Sequence, residues 1–201
     1  MRMSWFQTLA QQRQMVLWGL ILIAALGIAA CSETSPSIGQ YYQGRTLTVS
    51  VSTIERLPEL RYTVVVDQQE PRHVRLLPSE DGLELVVVRL KVQNHTATSA
   101  IFNMDRQGAE LRDFLSNKYF PIDVGVRAQD SSDPPIPGSR SSTILELQPD
   151  GTFATSKGFL TGPFELLRGM GIDGWIIFEA PEGTKFREFK WRAGDSLTIS
   201  F

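Results

Sequence analysis

The sequence predicts an all-β protein, an antiparallel β-sandwich preceded by an N-terminal signal helix and a flexible tether. Three observations carry this prediction. From residue 46 onward, short runs alternate apolar and polar residues with the period of half-buried strands. Turn residues punctuate those runs and helical periodicity is almost absent, the pattern of a sandwich. One long apolar stretch, Met15–Cys31 (MVLWGLILIAALGIAAC), stands apart and ends on the only cysteine.

The leader comes first. Residues 1–30 contain no Asp or Glu, and Arg2 and Arg13 supply a positive n-region. Val16–Ala30 is an apolar h-region, and small residues precede Cys31, the layout of a secretory signal. Ile28-Ala29-Ala30-Cys31 resembles the bacterial lipobox. That resemblance implies cleavage between Ala30 and Cys31 and a diacylglycerol on the Cys31 thiol. The alternative is an uncleaved anchor, but Val16–Ala30 falls short of the roughly 20 residues that span a bilayer. A secreted protein without lipid would leave a free thiol at the new N-terminus. Every reading places the rest of the chain outside the cytoplasm. The lipoprotein reading tethers it to the cell membrane, or to the outer membrane in a two-membrane host. The residue after Cys31 is Ser32, so the aspartate that signals inner-membrane retention in such proteins is missing.

Removing residues 1–30 leaves enough chain for one domain with a sizeable core. The leader carries two of the 20 Lys and Arg and none of the 22 acids, so the remainder has a net charge of −4. This balance argues against a nucleic-acid partner. With no cysteine after Cys31, packing rather than disulfides must hold the domain.

Residues 31–44 are polar and read as the lipidated cysteine and its linker, with the domain over 45–201. Tyr41 and Tyr42 offer rings that can rest on the domain or the membrane interface, the simpler reading being a solvated linker. Thr46–Ser52 alternates strictly, and Arg61–Asp67 repeats the theme with Tyr62, Val64 and Val66 on one face. Arg72–Leu77 reads as a short or edge strand. Leu83–Asn94 is the strongest strand: Val86, Val88, Leu90 and Val92 share a face, while the other grades from Leu85 and Val87 into Arg89 and Lys91 and should emerge into solvent. Ile101–Met104 leads into a hairpin turn at Asp105-Arg106-Gln107-Gly108. Ala109–Phe114 and Tyr119–Val126 are weaker strands. Arg127–Ser142 (RAQDSSDPPIPGSRSS) is a long Pro-, Ser- and Asp-rich loop. Thr143–Leu147 and Thr152–Phe159 either add short strands or cover a sandwich edge. Glu165–Arg168, Trp175–Ala180, Lys185–Trp191 and Leu197–Phe201 complete the set, each bounded by glycine, proline or aspartate turns.

Several phrases in this order look familiar. LELVVVRLKVQN ends on Asn94, NMDRQGAEL turns at Gly108, and GMGIDGWIIFEAPEG sets a glycine turn before an aromatic strand. Together they resemble the domain-of-unknown-function 4352 family of bacterial lipoproteins, over roughly Gly44–Phe201. The resemblance implies an immunoglobulin-like sandwich related to a mycobacterial immunoprotective secreted antigen. It implies no catalytic residues. The chain departs from the family in its long 127–142 insertion and in lacking an acidic low-complexity linker.

Motifs with chemical meaning are few. Gly169-Met170-Gly171-Ile172-Asp173-Gly174 spells G-x-G-x-x-G, but WIIFEA follows it. A dinucleotide site needs a helix there, so a turn is expected instead. His73 and His95 lie near turns and outside any zinc-ligand spacing. No G-x-S-x-G elbow is present. Asn94-His95-Thr96 spells a glycosylation sequon that carries little meaning in a bacterial lipoprotein. Asp130 and Asp133, with Asp123 or Asp150, offer oxygen ligands for calcium but lack EF-hand spacing. Trp175, Phe178, Phe186, Phe189 and Trp191 are expected in the core, except Trp175. Its parity opposes Phe178, so it should face outward.

The expected function is therefore a lipid-anchored extracytoplasmic binding or assembly module, without catalysis, metal or cofactor. It is anchored to the membrane through Cys31 and has a protein partner in the cell envelope. Its contact element is the 127–142 loop, through Asp130, Asp133, Pro134, Pro135, Ile136, Pro137 and Arg140, because binding residues favour long loops on rigid scaffolds. The alternatives are an accessory subunit of an integral-membrane complex, a hydrolase whose site assembles only in space, and a calcium-binding surface protein.

Overall fold

Period-two alternation fixes which side chains share a face, and in this chain it builds one central sheet with apolar residues on both sides. The computed structural model describes residues 35–64, 72–132, 143–147 and 153–201. The signal segment, Cys31, and Asp133, Pro134, Pro135, Ile136, Pro137, Arg140 and Asp150 lie outside them. The strands are β1 (Tyr42–Gln43), β2 (Leu47–Leu57), β3 (Leu60–Val64), β4 (Arg72–Leu76), β5 (Leu83–Asn94), β6 (Ser99–Met104), β7 (Ala109–Asp113) and β8 (Lys118–Tyr119). A single helical turn, α1 (Val124–Arg127), separates these from β9 (Gln129–Asp130), β10 (Thr143–Leu147) and β11 (Phe153–Lys157). The chain closes with β12 (Gly162–Leu167), β13 (Gly171–Pro181), β14 (Phe186–Trp191) and β15 (Leu197–Ser200).

The central sheet runs β1-β2-β5-β13-β10-β11. Its pairings are antiparallel, and β5 and β13 stay in register from Gly171 opposite Gln93 to Pro181 opposite Leu83. On one face Val86, Val88, Leu90, Ile176 and Phe178 meet the sheet β15-β14-β7-β8 and the pair β12-β6. This is the sandwich the alternation predicts. Phe102 stacks on Phe164 at 5.2 Å and meets Trp191 edge-on at 5.4 Å.

The other face differs from the sequence expectation. Leu85 and Val87 do not emerge into solvent but are buried with Ile177 and Trp175 in a second, smaller core. Leu60, Tyr62, Val74 and Leu76 from the sheet β3-β4-β9 cover them, together with Val124. Trp175 does lie opposite Phe178, yet it is 9% exposed rather than outward-facing. Solvent begins only at Arg89, which pairs bidentately with Asp173 at 2.7 and 2.9 Å and lies over the Trp175 ring.

Phe186, Phe189 and Trp191 are in the core as expected, although strict alternation would put Phe186 on the opposite face from the other two. A bulge between Phe186 and Glu188 resets the parity. Two further differences have local causes. The Asp105–Gly108 turn exists, with Gly108 N–H donating to Asp105 O at 3.1 Å. It does not make a hairpin, however: β6 pairs with β12 and β7 with β14, so the turn is a corner between sheets. Ser35–Gly44 is not a free tether. Gly39 N–H donates to Val51 O at 2.7 Å, and Tyr42 pairs opposite Val49 and packs on the core, while Tyr41 is exposed.

Polar side chains lock the corners at one end of the sheet. Asn94 is fully buried; its Nδ2 donates to Ala97 O at 2.9 Å and Leu166 O at 2.8 Å, and its Oδ1 accepts from Ala97 N–H at 3.0 Å. The sequon asparagine is therefore an internal strut. Asp195 Oδ2 accepts from the Thr46 and Leu47 amides at 2.7 and 3.0 Å, clasping the start of β2. A side chain at Gly44 would come within 2.5 Å of that oxygen, so the position needs glycine. Burial pushes the Asp195 carboxyl up, but the Leu47, Thr46 and Ser196 amides outweigh it and hold it below the usual carboxylate range.

Two predictions follow from these corners. Asn94→Ala leaves buried partners unmatched and should lower stability by about 3 kcal/mol, read as the midpoint of thermal unfolding. Asp195→Asn should cost about 1–2 kcal/mol near neutral pH. The folded carboxyl titrates below the unfolded one, so the wild-type advantage is full above the ordinary carboxylate range. It fades as pH falls through the lower folded value. Melting curves of both proteins should therefore converge in acid; a constant gap would contradict the clasp.

Candidate functional site

The β13 edge away from β5 does not have one neighbour along its length. At Ile172 and Asp173 it pairs with β10. At Trp175 its neighbour is the segment before β12, through Leu160 N–H to Trp175 O at 2.9 Å. At Ile177 it is the stretch before α1, through Ile122 N–H to Ile177 O at 2.9 Å. Where the neighbour changes, the edge opens into a cleft of about 770 Å³.

Trp175, Ile176 and Ile177 line its β13 side, Phe159–Gly162 one wall, and Lys118–Ile122 with α1 the other. Met104–Arg106, at the β6–β7 corner, contribute to the rim. The sequence expectation of a strand over Tyr119–Val126 is thus corrected. Only Lys118–Tyr119 pairs, with Arg112 and Leu111 of β7. Pro121 then interrupts the ladder, and Asp123 caps α1 by accepting from Val126 N–H at 3.2 Å.

Arg127 pins this wall. Its guanidinium donates to Glu179 Oε2 at 3.0 Å, Glu179 Oε1 at 3.1 Å and Leu77 O at 3.0 Å. Ser79 adds its Oγ to Glu179 at 2.8 Å and its backbone N–H to the other oxygen. Burial raises the Glu179 carboxyl pKa, but the Arg127 and Ser79 hydrogen bonds prevail and lower it. Glu179 is thereby an anion with its lone pairs filled. Asp105 is engaged too, accepting from Gln107 N–H at 2.8 Å. Arg106 lies over the Phe120 ring at 6.0 Å. The cleft therefore combines an apolar lining, the cations Arg106 and Lys118 at its margin, and carboxylates already bonded within the protein.

The sequence-predicted residues fall largely elsewhere. Asp130 sits in β9 and pairs with Arg72 at 2.9 Å on the surface. Asp123 serves the helical turn. His95 contacts Gln43 and the Gly44 carbonyl, and His73 lies in β4. Among the described residues, no group of three or more His, Cys, Asp or Glu side chains converges. Gly169, with φ of 83°, occupies the turn before β13, and its N–H donates to Asn94 O at 2.7 Å. The G-x-G-x-x-G stretch thus leads into a strand, not a helix. Sequence reasoning missed the cleft because its walls come from four separated segments. Pro121 beside Phe120 was the one local hint that the ladder breaks there.

Arg127→Ala should loosen the cleft wall without unfolding the sandwich. The expected loss is about 2 kcal/mol of local stability. Hydrogen exchange should accelerate at the Ile122, Arg127 and Ala128 amides and stay unchanged in β5. Uniform acceleration would show that Arg127 supports the whole fold.

No family model matches the chain, so the family expected from its phrases stays a resemblance, and no curated protein matches. Solved structures do. The chain is similar to the yjhA protein from Bacillus subtilis at 12% identity, over 82% of this chain and 97% of that one, with a TM-score of 0.49. It is also similar to an uncharacterized β-sandwich protein from Clostridium difficile 630, at 10% identity over 82% and 91%, TM-score 0.38. A candidate lipoprotein, ycdA of Bacillus subtilis subsp. subtilis str. 168, matches at 14% identity over 80% of this chain and 38% of that one, TM-score 0.39.

Proposed function

We propose that this chain is an extracytoplasmic binding module, anchored to the membrane by lipid on Cys31, that recognises an envelope partner through the β13-edge cleft without transforming it. The observation that carries the binding role is the cleft itself: a concave apolar site on a rigid sheet with two marginal cations. Its carboxylates are committed to Arg127, Ser79 and backbone amides, which supports recognition over chemistry. The chain leaves the cleft wall at Arg127 and runs into β9. The lipobox-like Ile28–Cys31 supports the anchor.

Two measurements test this. Intact mass of the membrane-extracted chain should show residues 1–30 removed and Cys31 acylated, and Cys31→Ser should abolish both changes. For the cleft, a photo-crosslinking residue at Val126, which is 80% exposed at the cleft margin, should capture a discrete envelope species in cells. The same residue at Thr198, exposed on β15 at the opposite edge of the facing sheet from β8, should not. Equal capture at both positions would remove the cleft from the reading.

A further inference from the structure

The hairpin between β7 and β8 carries at its apex Phe114 and Leu115, which are 64% and 83% exposed. The apex is held from beneath by one carboxylate. Asp113 Oδ1 accepts from the Leu115 and Asn117 amides at 2.9 and 2.8 Å. Its Oδ2 accepts from Asn117 Nδ2 at 2.8 Å and the Tyr119 hydroxyl at 3.0 Å. Ser116 takes a left-handed conformation, φ 69°, to complete the turn. Four donors and a strained residue thus fix a loop that presents two large apolar side chains to solvent.

We propose that Phe114 and Leu115 insert into the interface of the bilayer on which the chain is anchored, fixing the orientation of the domain. Three features favour a lipid surface as the occupant. First, the apex is convex and apolar, a shape that enters a fluid phase without needing a complementary pocket. Second, Lys118 and Lys185 are exposed beside it: Lys118 pairs opposite Arg112, and Lys185 precedes Phe186, which pairs opposite Asp113. Neither lysine makes an ion pair among the described residues, so both are available to lipid phosphates. Glu80, Asp81 and Glu182 lie in the turns at the same end, so the apolar side chains rather than net charge carry the docking.

Third, the chain arrives from the end where the tip stands. β1 runs antiparallel to β2, with Tyr42 opposite Val49, and Gly39 bonds to Val51. The residues before β1 therefore lead toward the Leu57 end of β2. That end is the tip's: Arg56 lies over Phe186, which pairs opposite Asp113. Because the fold holds the chain from Ser35 on, a lipid on Cys31 would be joined to it by residues 31–34 alone, at most about 14 Å of chain. The inference rests on the anchor reading for this last point only.

Hydroxyl-radical footprinting of the full chain, purified and reconstituted in phosphatidylcholine–phosphatidylglycerol vesicles, tests it. Val126 is 80% exposed against 83% for Leu115 and serves as the internal standard. Insertion should reduce oxidation of Leu115 relative to Val126 by about tenfold on vesicles, and Phe114 should follow. Equal protection factors on vesicles would overturn the proposal. Protection of Leu115 relative to Ile101, which is 68% exposed and outside the cleft, found in native envelopes but missing on protein-free vesicles would assign the tip to a protein and also overturn it. Intact mass of the same sample reports the anchor separately. Protection without acylation keeps the tip and rejects the anchor; acylation without protection does the reverse. A chain that leaves the vesicles on flotation, with Leu115 and Val126 oxidised alike, overturns both.

Discussion

Everything in this fold is placed relative to the pairing of β5 with β13. These are the longest partners in unbroken register, and both are interior strands of the central sheet. Apolar residues at successive positions, Leu85–Val88 and Trp175–Phe178, leave neither face able to meet water. One face needs a full facing sheet and the other a partial cover, and the chain supplies both. The partial cover ends where Arg89 and Asp173 begin, because a bidentate ion pair is content at the solvent boundary where bare Val or Trp is not. The cleft is a further consequence. β13 is longer than any one neighbour on its outer edge, so three segments share that edge and a gap remains between two of them.

Without a disulfide, cooperativity between the loops and the sheet must come from directional polar contacts. Asn94, Asp195 and Glu179 each gather donors or acceptors from segments far apart in sequence, while Asp113 gathers its donors within its own hairpin. Each is a short or medium side chain that accepts or donates repeatedly, so one residue can fix two loops with little loss of rotamer entropy. The outer face of β7 and β14 follows the same logic with charge. Glu110 is buried between Arg112 and Arg192, and Arg112 reaches Glu188 at 3.5 Å. Such pairs contribute less to net stability than the apolar cores do, but they penalise any register that separates them.

How much of this was legible follows from which interactions are local. Leu83–Asn94 carries its own boundaries: the alternation begins after a glycine turn and stops at an asparagine whose amide closes the next corner. Leu197–Phe201 was equally plain. The parity of β14 was not, because a bulge has no marker in FREFKW beyond the puzzle that three aromatics fall on two faces. The Asp105–Gly108 signal specified a turn correctly but could not specify that the strands part afterwards. Partner choice depends on Phe102 finding Phe164 and Trp191, contacts remote in sequence. The same limit hid the second core. Leu85, Val87 and Trp175 looked like a face fading into solvent because the residues that cover them lie before β5 and beyond β8. For the site, the acids of the long loop stood out by composition, whereas the cleft is made of ordinary residues and exists only through the shared edge of β13.

Four of the exposed apolar residues separate into two kinds on physical grounds. Ile101 and Leu167 stand singly on the outer face of the β6–β12 pair, where their strands must pass for Phe102 and Leu166 to reach the core. Their exposure follows from the alternation of a strand buried on one side, and single exposed aliphatics are ordinary. Phe114 and Leu115 have no such excuse. They lie in a turn, where polar residues would serve the fold equally well, and their side chains add little to either core. Yet the turn beneath them is heavily hydrogen-bonded, with both oxygens of Asp113 committed to its shape. Folding alone gains nothing from stiffening a loop whose apex remains in water. A surface that must hold two apolar side chains ready for another phase does gain, because the entropy of ordering them is then lost during folding rather than at contact.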